Sequence, residues 1–151
     1  MSDNFLRLIA VEPDFVPPPA STGKAVERLH EWLPQADQIA ASLSDSIQFV
    51  DAGGNWEGVF CPNCGADIES AWGDLLDAAS DGTGGFRSLG IVAPCCGTAT
   101  TLNDLRFGWP VGFSRFAIEI KNPRVSDLGS HRLAEVEVIL GTRLREVWAH
   151  Y

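Results

Sequence analysis

All four cysteines of the chain fall in two short stretches, VFCPNCGADIE at 59–69 and IVAPCCGTATTL at 91–102. No other feature restricts the fold as much. In Cys61-Pro62-Asn63-Cys64-Gly65, two thiols at i and i+3 across a tight turn aim at one point, and the glycine lets the chain leave with positive φ. Laid on this knuckle, Ala93-Pro94-Cys95-Cys96-Gly97 matches position for position. Cys96 falls where Cys64 does, Ala93 stands in place of Cys61, and Cys95 takes the place of Asn63. The second turn keeps its Pro and Gly, while one thiol has slid two places along it.

Three readings follow for the chemistry. Cys61, Cys64, Cys95 and Cys96 can close one tetrahedral zinc site, the adjacent pair at the cost of a less relaxed backbone. Three cysteines can bind while His, Asp or water fills the fourth place, or Cys95 and Cys96 can be small buried residues. The first is preferred. A closed Zn2+ site is structural, and its role is to fold a hairpin pair too small for a core of its own. The open version is the one route to hydrolysis, through an acidified bound water. A redox CxxC is discounted, because the GADIE after Cys64 reads as a return strand and not as the helix start that lowers a thiol pKa.

Composition narrows the setting. The 151 residues carry a net charge of -9, which disfavours phosphate backbones and anionic lipid; solubility alone is the better-founded reason for such acidity, and attraction to a basic protein partner is the other. No apolar run approaches the ~20 residues that cross a bilayer, and MSDNFLRLIAVEPDF has neither a basic n-region nor a small-residue cleavage site. The expectation is a cytoplasmic protein without a membrane segment, where reduced thiols favour metal over disulfide.

Periodicity supplies the elements. FLRLIAV (5–11) reads as a strand, broken by PDFVPPPAS. Ala25, Val26, Leu29, Trp32 and Leu33 recur at helical spacing from Thr22 to Leu33, with Ser21 or Thr22 as cap and Pro34 as stop. Ile39, Ala41 and Leu43, then Ile47 and Phe49, suggest two strands joined by a turn at SDS. Trp72, Leu75, Leu76 and Ala79 make a one-sided helical stripe. RFAIEIK (115–121) alternates cleanly, with Phe116, Ile118 and Ile120 on one face. A helix with Leu133, Val136, Ile139 and Leu140 then ends at Gly141, and RLREVWAHY favours a last strand. With 56–107 set aside as an inserted zinc-ribbon-like subdomain, the order β-α-β(β)…β-α-β predicts one α+β domain over 1–151. It is a ferredoxin-like (split βαβ) antiparallel sheet with both helices on one face.

Other candidates are weaker. His30, His131 and His150 all lie outside the cysteine region and form no metal pattern. Phe107, Trp109, Phe113 and Phe116 are expected to seal the joint between module and sheet, and Asn103 and Asp104 to be turn or cap residues. The glycine-rich DAGGNW and DGTGG lack the Lys-Ser/Thr of a phosphate loop.

The set Cys61–Gly65, Pro94–Gly97, Thr101–Leu105, Trp109–Phe113, Asn122–Pro123 and Ala149–Tyr151 resembles a group of small uncharacterised bacterial proteins with the same blocks in the same order. The resemblance spans nearly the whole chain and implies an intact domain in which the adjacent cysteines belong to the pattern. It implies no activity. The function expected is a non-enzymatic, zinc-stabilised domain that binds a protein, in an accessory or immunity- or antitoxin-like role. The rivals are a zinc-dependent hydrolase with an open three-cysteine site and a zinc-ribbon nucleic-acid binder.

Overall fold

A computed structural model describes residues 2–151. The chain opens with strand β1 (Asn4–Ala10), whose alternation sends Leu6 and Leu8 to one side and Arg7 and Ile9 to the other. Helix α1 (Pro19–Trp32) begins earlier than its apolar stripe suggests. Pro19 supplies the first turn with a preset φ and no donor to leave unpaired, so no Ser or Thr side chain caps it. Thr22 instead donates its hydroxyl back to the Pro18 carbonyl.

Strand β2 runs unbroken from Gln38 to Val50, where the pattern suggested two strands and a turn. The reason is its neighbour β7 (Gly112–Lys121), which is long enough to pair with both halves. The surplus residues of SDS are absorbed as a register irregularity between Leu43 and Gln48. Between β2 and β7 lies the cysteine module, with β3 (Val59–Phe60), helix α2 (Glu69–Ala79), β4 (Gly90–Val92), β5 (Ala99–Thr101), a 3-10 turn at Leu102–Asp104 and β6 (Arg106–Phe107). Helix α3 (Ser130–Leu140) follows β7 and stops at left-handed Gly141 (φ 77°), as its position predicts, before β8 (Leu144–His150).

Four strands form the main sheet in the order β2-β7-β1-β8, every neighbouring pair antiparallel. Helix α1 connects β1 to β2, and α3 connects β7 to β8. Both pack on one face: Leu6, Leu8, Ile39, Phe116, Ile118 and Ile120 share a core with Ala25, Leu29, Val136 and Leu140. Each such large apolar side chain contributes about 1.5–3 kcal/mol by leaving water. Among the described residues no helix is long and apolar enough to cross a membrane.

The module's own pairings are small, β3 with β6 and β4 with β5. Its core is completed by residues of the main sheet. Ile47 of β2 and Phe113 of β7 pack with Val59, Cys61, Ile68, Phe86, Leu89, Ala93, Leu102 and Leu105. Helix α2 buries no residue fully, yet Trp72 meets Phe113, Phe107 and Trp56 at ring distances of 6.3, 5.7 and 5.5 Å. The expected aromatic seal is thus divided. Phe107 and Phe113 join module to sheet, Trp109 packs with Val111 and Val147, and Phe116 lies on the helix face. The parity of β7 explains the split, since Phe113 and the Phe116, Ile118, Ile120 stripe stand at odd and even positions and so face opposite sides.

Asp104 conforms to expectation, donating its backbone N–H to the Thr101 hydroxyl at the 3-10 turn. Asn103 does something the sequence did not signal. It is buried, accepts from the Phe113 N–H (3.0 Å) and from Arg145 (3.2 Å), and donates to the Val11 carbonyl. One amide thereby links the module to β7, to β8 and to the end of β1. Asn103→Ala is expected to destabilise the protein by about 1–3 kcal/mol, because it orphans buried partners; a denaturant titration with unchanged m-value measures it.

Candidate metal centre

Each knuckle is built by the same backbone device. The Cys61 N–H donates to the Ala66 carbonyl and the Gly65 N–H to the Cys61 carbonyl, with Gly65 at φ 77°. In the second, the Ala93 N–H donates to the Thr98 carbonyl and the Gly97 N–H to the Ala93 carbonyl, with Gly97 at φ 73°. A left-handed exit is required in both turns, and only glycine takes it without strain. The position-for-position match read from the sequence is therefore a match of hydrogen bonds.

The two turns face each other, and all four sulfur atoms lie within 4.8 Å of one another. Cys61 Sγ is 3.7 Å from Cys96 Sγ, and Cys64 Sγ is 3.3 Å from Cys95 Sγ. Four sulfurs at the corners of a tetrahedron around one ion at ~2.3 Å would stand about 3.8 Å apart, so the spacing suits a single metal ion. Among the described residues, this is the one convergence of three or more Cys, His, Asp or Glu side chains. His30, His131 and His150 take no part in it; His150 instead bonds Asn4 at the opposite end of the chain. Cys61 is buried under the module core, while Cys64, Cys95 and Cys96 are exposed.

Neither of the adjacent cysteines has a positive φ. The only non-glycine residues with positive φ among those described are Asn122 and Arg124, far along the chain. Cys95 occupies the turn position that Asn63 holds in the first knuckle, and from there its sulfur reaches Cys64 directly. Asn63 plays the complementary part. Its amide donates to the Thr98 hydroxyl (2.9 Å) and towards Cys96 Sγ (3.6 Å).

These contacts differentiate the thiols. The Thr98 hydroxyl and the Asn63 amide, with the Thr98 backbone N–H, hold Cys96 down at about 6. The turn N–H of Cys64 lowers Cys61 as well. Cys95 is pushed up to about 12, first by its contact with Cys64 and then by desolvation and the other sulfurs. A lowered value favours the charged form above about pH 6 and loses that preference as pH falls through it; a raised value keeps Cys95 protonated at neutrality. Without metal, the cluster thus carries negative charge on Cys96 at neutrality while Cys95 stays protonated. A bound cation would have to displace the Cys95 proton.

Comparison of the chain with protein-family models, with curated proteins and with solved structures found no match. The blocks outside the cysteines are accounted for by contacts. Trp109 Nε1 donates to the Trp148 carbonyl at 2.8 Å. Asn122 ties Asp3 and Asp37 together and accepts from the Asn4 N–H. The Tyr151 hydroxyl donates to Asp51 and accepts from Arg7, which also pairs with Glu119 at 2.9 Å. This last network went unread in the sequence, for its members are separated by up to 144 positions.

In the metal-free chain at pH 7, iodoacetamide is expected to label Cys96 well before Cys95, and a shift to pH 5 to suppress the Cys96 reaction. Peptide mass spectrometry reads the order, and equal labelling of the two would refute the assignment.

Proposed function

We propose that the protein is a non-enzymatic, zinc-stabilised interaction domain, with Zn2+ held by Cys61, Cys64, Cys95 and Cys96. The observation that carries the metal reading is the convergence of four thiols within 4.8 Å on two turns of matched backbone. Thiolate-only donor sets favour zinc among common cytosolic ions, and four of them leave no place for water or substrate. Such an ion braces the fold. It would tie β3 and its return segment to β4 and β5, a region whose helix α2 has no fully buried residue to hold it in place. The open three-cysteine hydrolase lacks a supporting observation, because the fourth thiol stands within the cluster.

The strand order β2-β7-β1-β8, with α1 and α3 as crossovers on a shared face, supports reading the scaffold as a split βαβ, ferredoxin-like sandwich. The metal module is then an insertion between its second and third strands. The likeness to the small bacterial group stays part of this reading through its blocks, which sit at the knuckles, at Asn103 and at the Tyr151 network.

The partner in this reading is a basic protein, as for an accessory, immunity- or antitoxin-like role. Support comes from the net charge of -9. Long-range attraction of that kind speeds encounter and weakens as salt rises, whereas nucleic acid would be repelled.

Two measurements test the proposal. Elemental analysis should find one zinc per chain and X-ray absorption four sulfur neighbours; Cys95→Ser should lose one sulfur. The pair Ala93→Cys with Cys95→Asn, which recreates the first knuckle's pattern, should recover four. Zinc with three sulfurs in the unaltered protein would favour the open site instead. Secondly, affinity capture at low ionic strength should recover a basic protein that elutes between about 0.1 and 0.5 M salt, where the Debye length drops below ~10 Å. Capture of nucleic acid alone would overturn the partner assignment.

A further inference from the structure

A sheet edge exposes a row of unpaired N–H and C=O groups, and proteins normally protect it with charge, proline or covering chain. The two edges of the main sheet differ in this respect. On β8, Leu144 N–H donates to the Glu137 carboxylate, the Trp148 carbonyl accepts from Asn55 and Trp109, and His150 exchanges hydrogen bonds with Ala52 and Gly54. That edge carries hydrogen-bond partners at Leu144, Trp148 and His150. On β2, the outer side from Gln38 to Leu43 meets no hydrogen bond from any other segment among the described residues; the Ser44 carbonyl accepts from Arg115 at 2.9 Å, and Ile47 bridges to Phe86. The stretch QIAASLS (38–44) contains no charge and no proline, in a chain with 31 charged side chains by composition, 20 acidic and 11 basic.

Its side chains are also placed to continue a sheet. Ile39, Ala41 and Leu43 pair across to Ile120, Ile118 and Phe116, on the helix face, where Ile39 joins the main core and Ala41 and Leu43 are exposed at its rim. Ile39 is 8% exposed, but Leu43 is 54% exposed although it stands beside buried Phe116. Leucine left open at the end of a core row, next to unpaired backbone, is the pattern of an interrupted sheet. The other strongly exposed aliphatics, Val92 and Val138, have no free strand edge beside them that reaches this core.

We propose that β2 pairs antiparallel with β2 of a second copy, with Ala41 on the two-fold axis, to make a continuous eight-stranded sheet. The sequence itself selects a second copy as the occupant. About Ala41 it is nearly palindromic: Ile39 meets Leu43, Ala40 meets Ser42, and Gln38 meets Ser44 of the other chain. Every pair joins residues of like parity, so the helix faces remain on one side and Leu43 is covered by Ile39 of the second copy. Moving the axis to Ser42 would set Ile39 against Asp45, and moving it to Ala40 would set Leu43 against Asp37. One cost remains in the favoured register, where Asp37 and Asp45 come opposite each other. Asp37 already carries the Arg124 guanidinium at 3.0 Å, and the regular ladder with β7 ends after Leu43. Asp45 is therefore the residue that limits the association.

Sedimentation equilibrium on the full chain tests the pairing. The unaltered protein is expected at twice its 16.3 kDa chain mass, with association strengthened by salt because two acidic copies repel. Asp45→Asn should tighten the dimer about fivefold by removing like charges set opposite each other. Leu43→Lys should weaken it at least about tenfold with an unchanged thermal transition, since that side chain lies mostly in solvent. An unaltered chain that stays monomeric at ~100 μM, or a Leu43→Lys variant that dimerises as before, would overturn the proposal. The salt response is opposite in sign to that of capture by a basic partner, so the two readings fail separately.

Discussion

Four sulfur atoms packed within 4.8 Å cannot all be charged unless a cation lies among them. Two unit charges about 4 Å apart repel by about 1 kcal/mol in water and about 4 kcal/mol at the edge of a protein. The thiols divide their protons accordingly: hydrogen bonds from Thr98 and Asn63 hold Cys96 at about 6, while contact with Cys64 and desolvation drive Cys95 to about 12. An ion removes the conflict and turns the same proximity into a bond set. The knuckle backbone would then be held from both sides, by its own hydrogen bonds and by the sulfurs. Without an ion, three exposed cysteines would rest on turns attached to a helix that buries nothing completely.

The rest of the molecule depends on that constraint because module and sheet share their interior. Cys61 lies in the same cluster as Phe113 and Ile47, which are residues of β7 and β2. Loosening the knuckles would therefore uncover side chains on which the second half of β2 relies. The coupling also runs the other way. Asn103, just beyond β5, reaches Phe113, Arg145 and Val11 through its one amide. The sheet fixes the C-terminal end of the module, and the turns fix its middle. A small region with two-stranded pairings only is in this way kept in one arrangement.

What the sequence disclosed followed from local chemistry. The knuckles could be read because each needs only five residues, and the clean alternation around Phe116, Ile118 and Ile120 announced β7 and its buried face. Gly141 marked the end of α3 for an equally local reason. The misreadings have non-local causes. The SDS segment resembles a turn until β7 is present to pair on both sides of it. The start of α1 moved because prolines, which break most elements, suit a first helical turn. Asn103 looked like a turn residue, as it is in its backbone, while its amide works at a distance of 92 positions to Val11.

The charge distribution sets the two proposed associations apart. A net charge of -9 acts over a Debye length and favours any basic surface that approaches. It also opposes a second acidic copy, so self-association must rest on short-range contacts that the field does not reach. The uncharged strip Gln38–Ser44 is such a place, with backbone groups and an exposed leucine but no charge until Asp37 and Asp45 at its ends. The shared edge would leave the cysteine module clear, because the cover of β2 by that module starts at Ile47. Pairing through β2 and recognition elsewhere on the acidic surface would then be compatible in one assembly, with two metal modules carried on one continuous sheet.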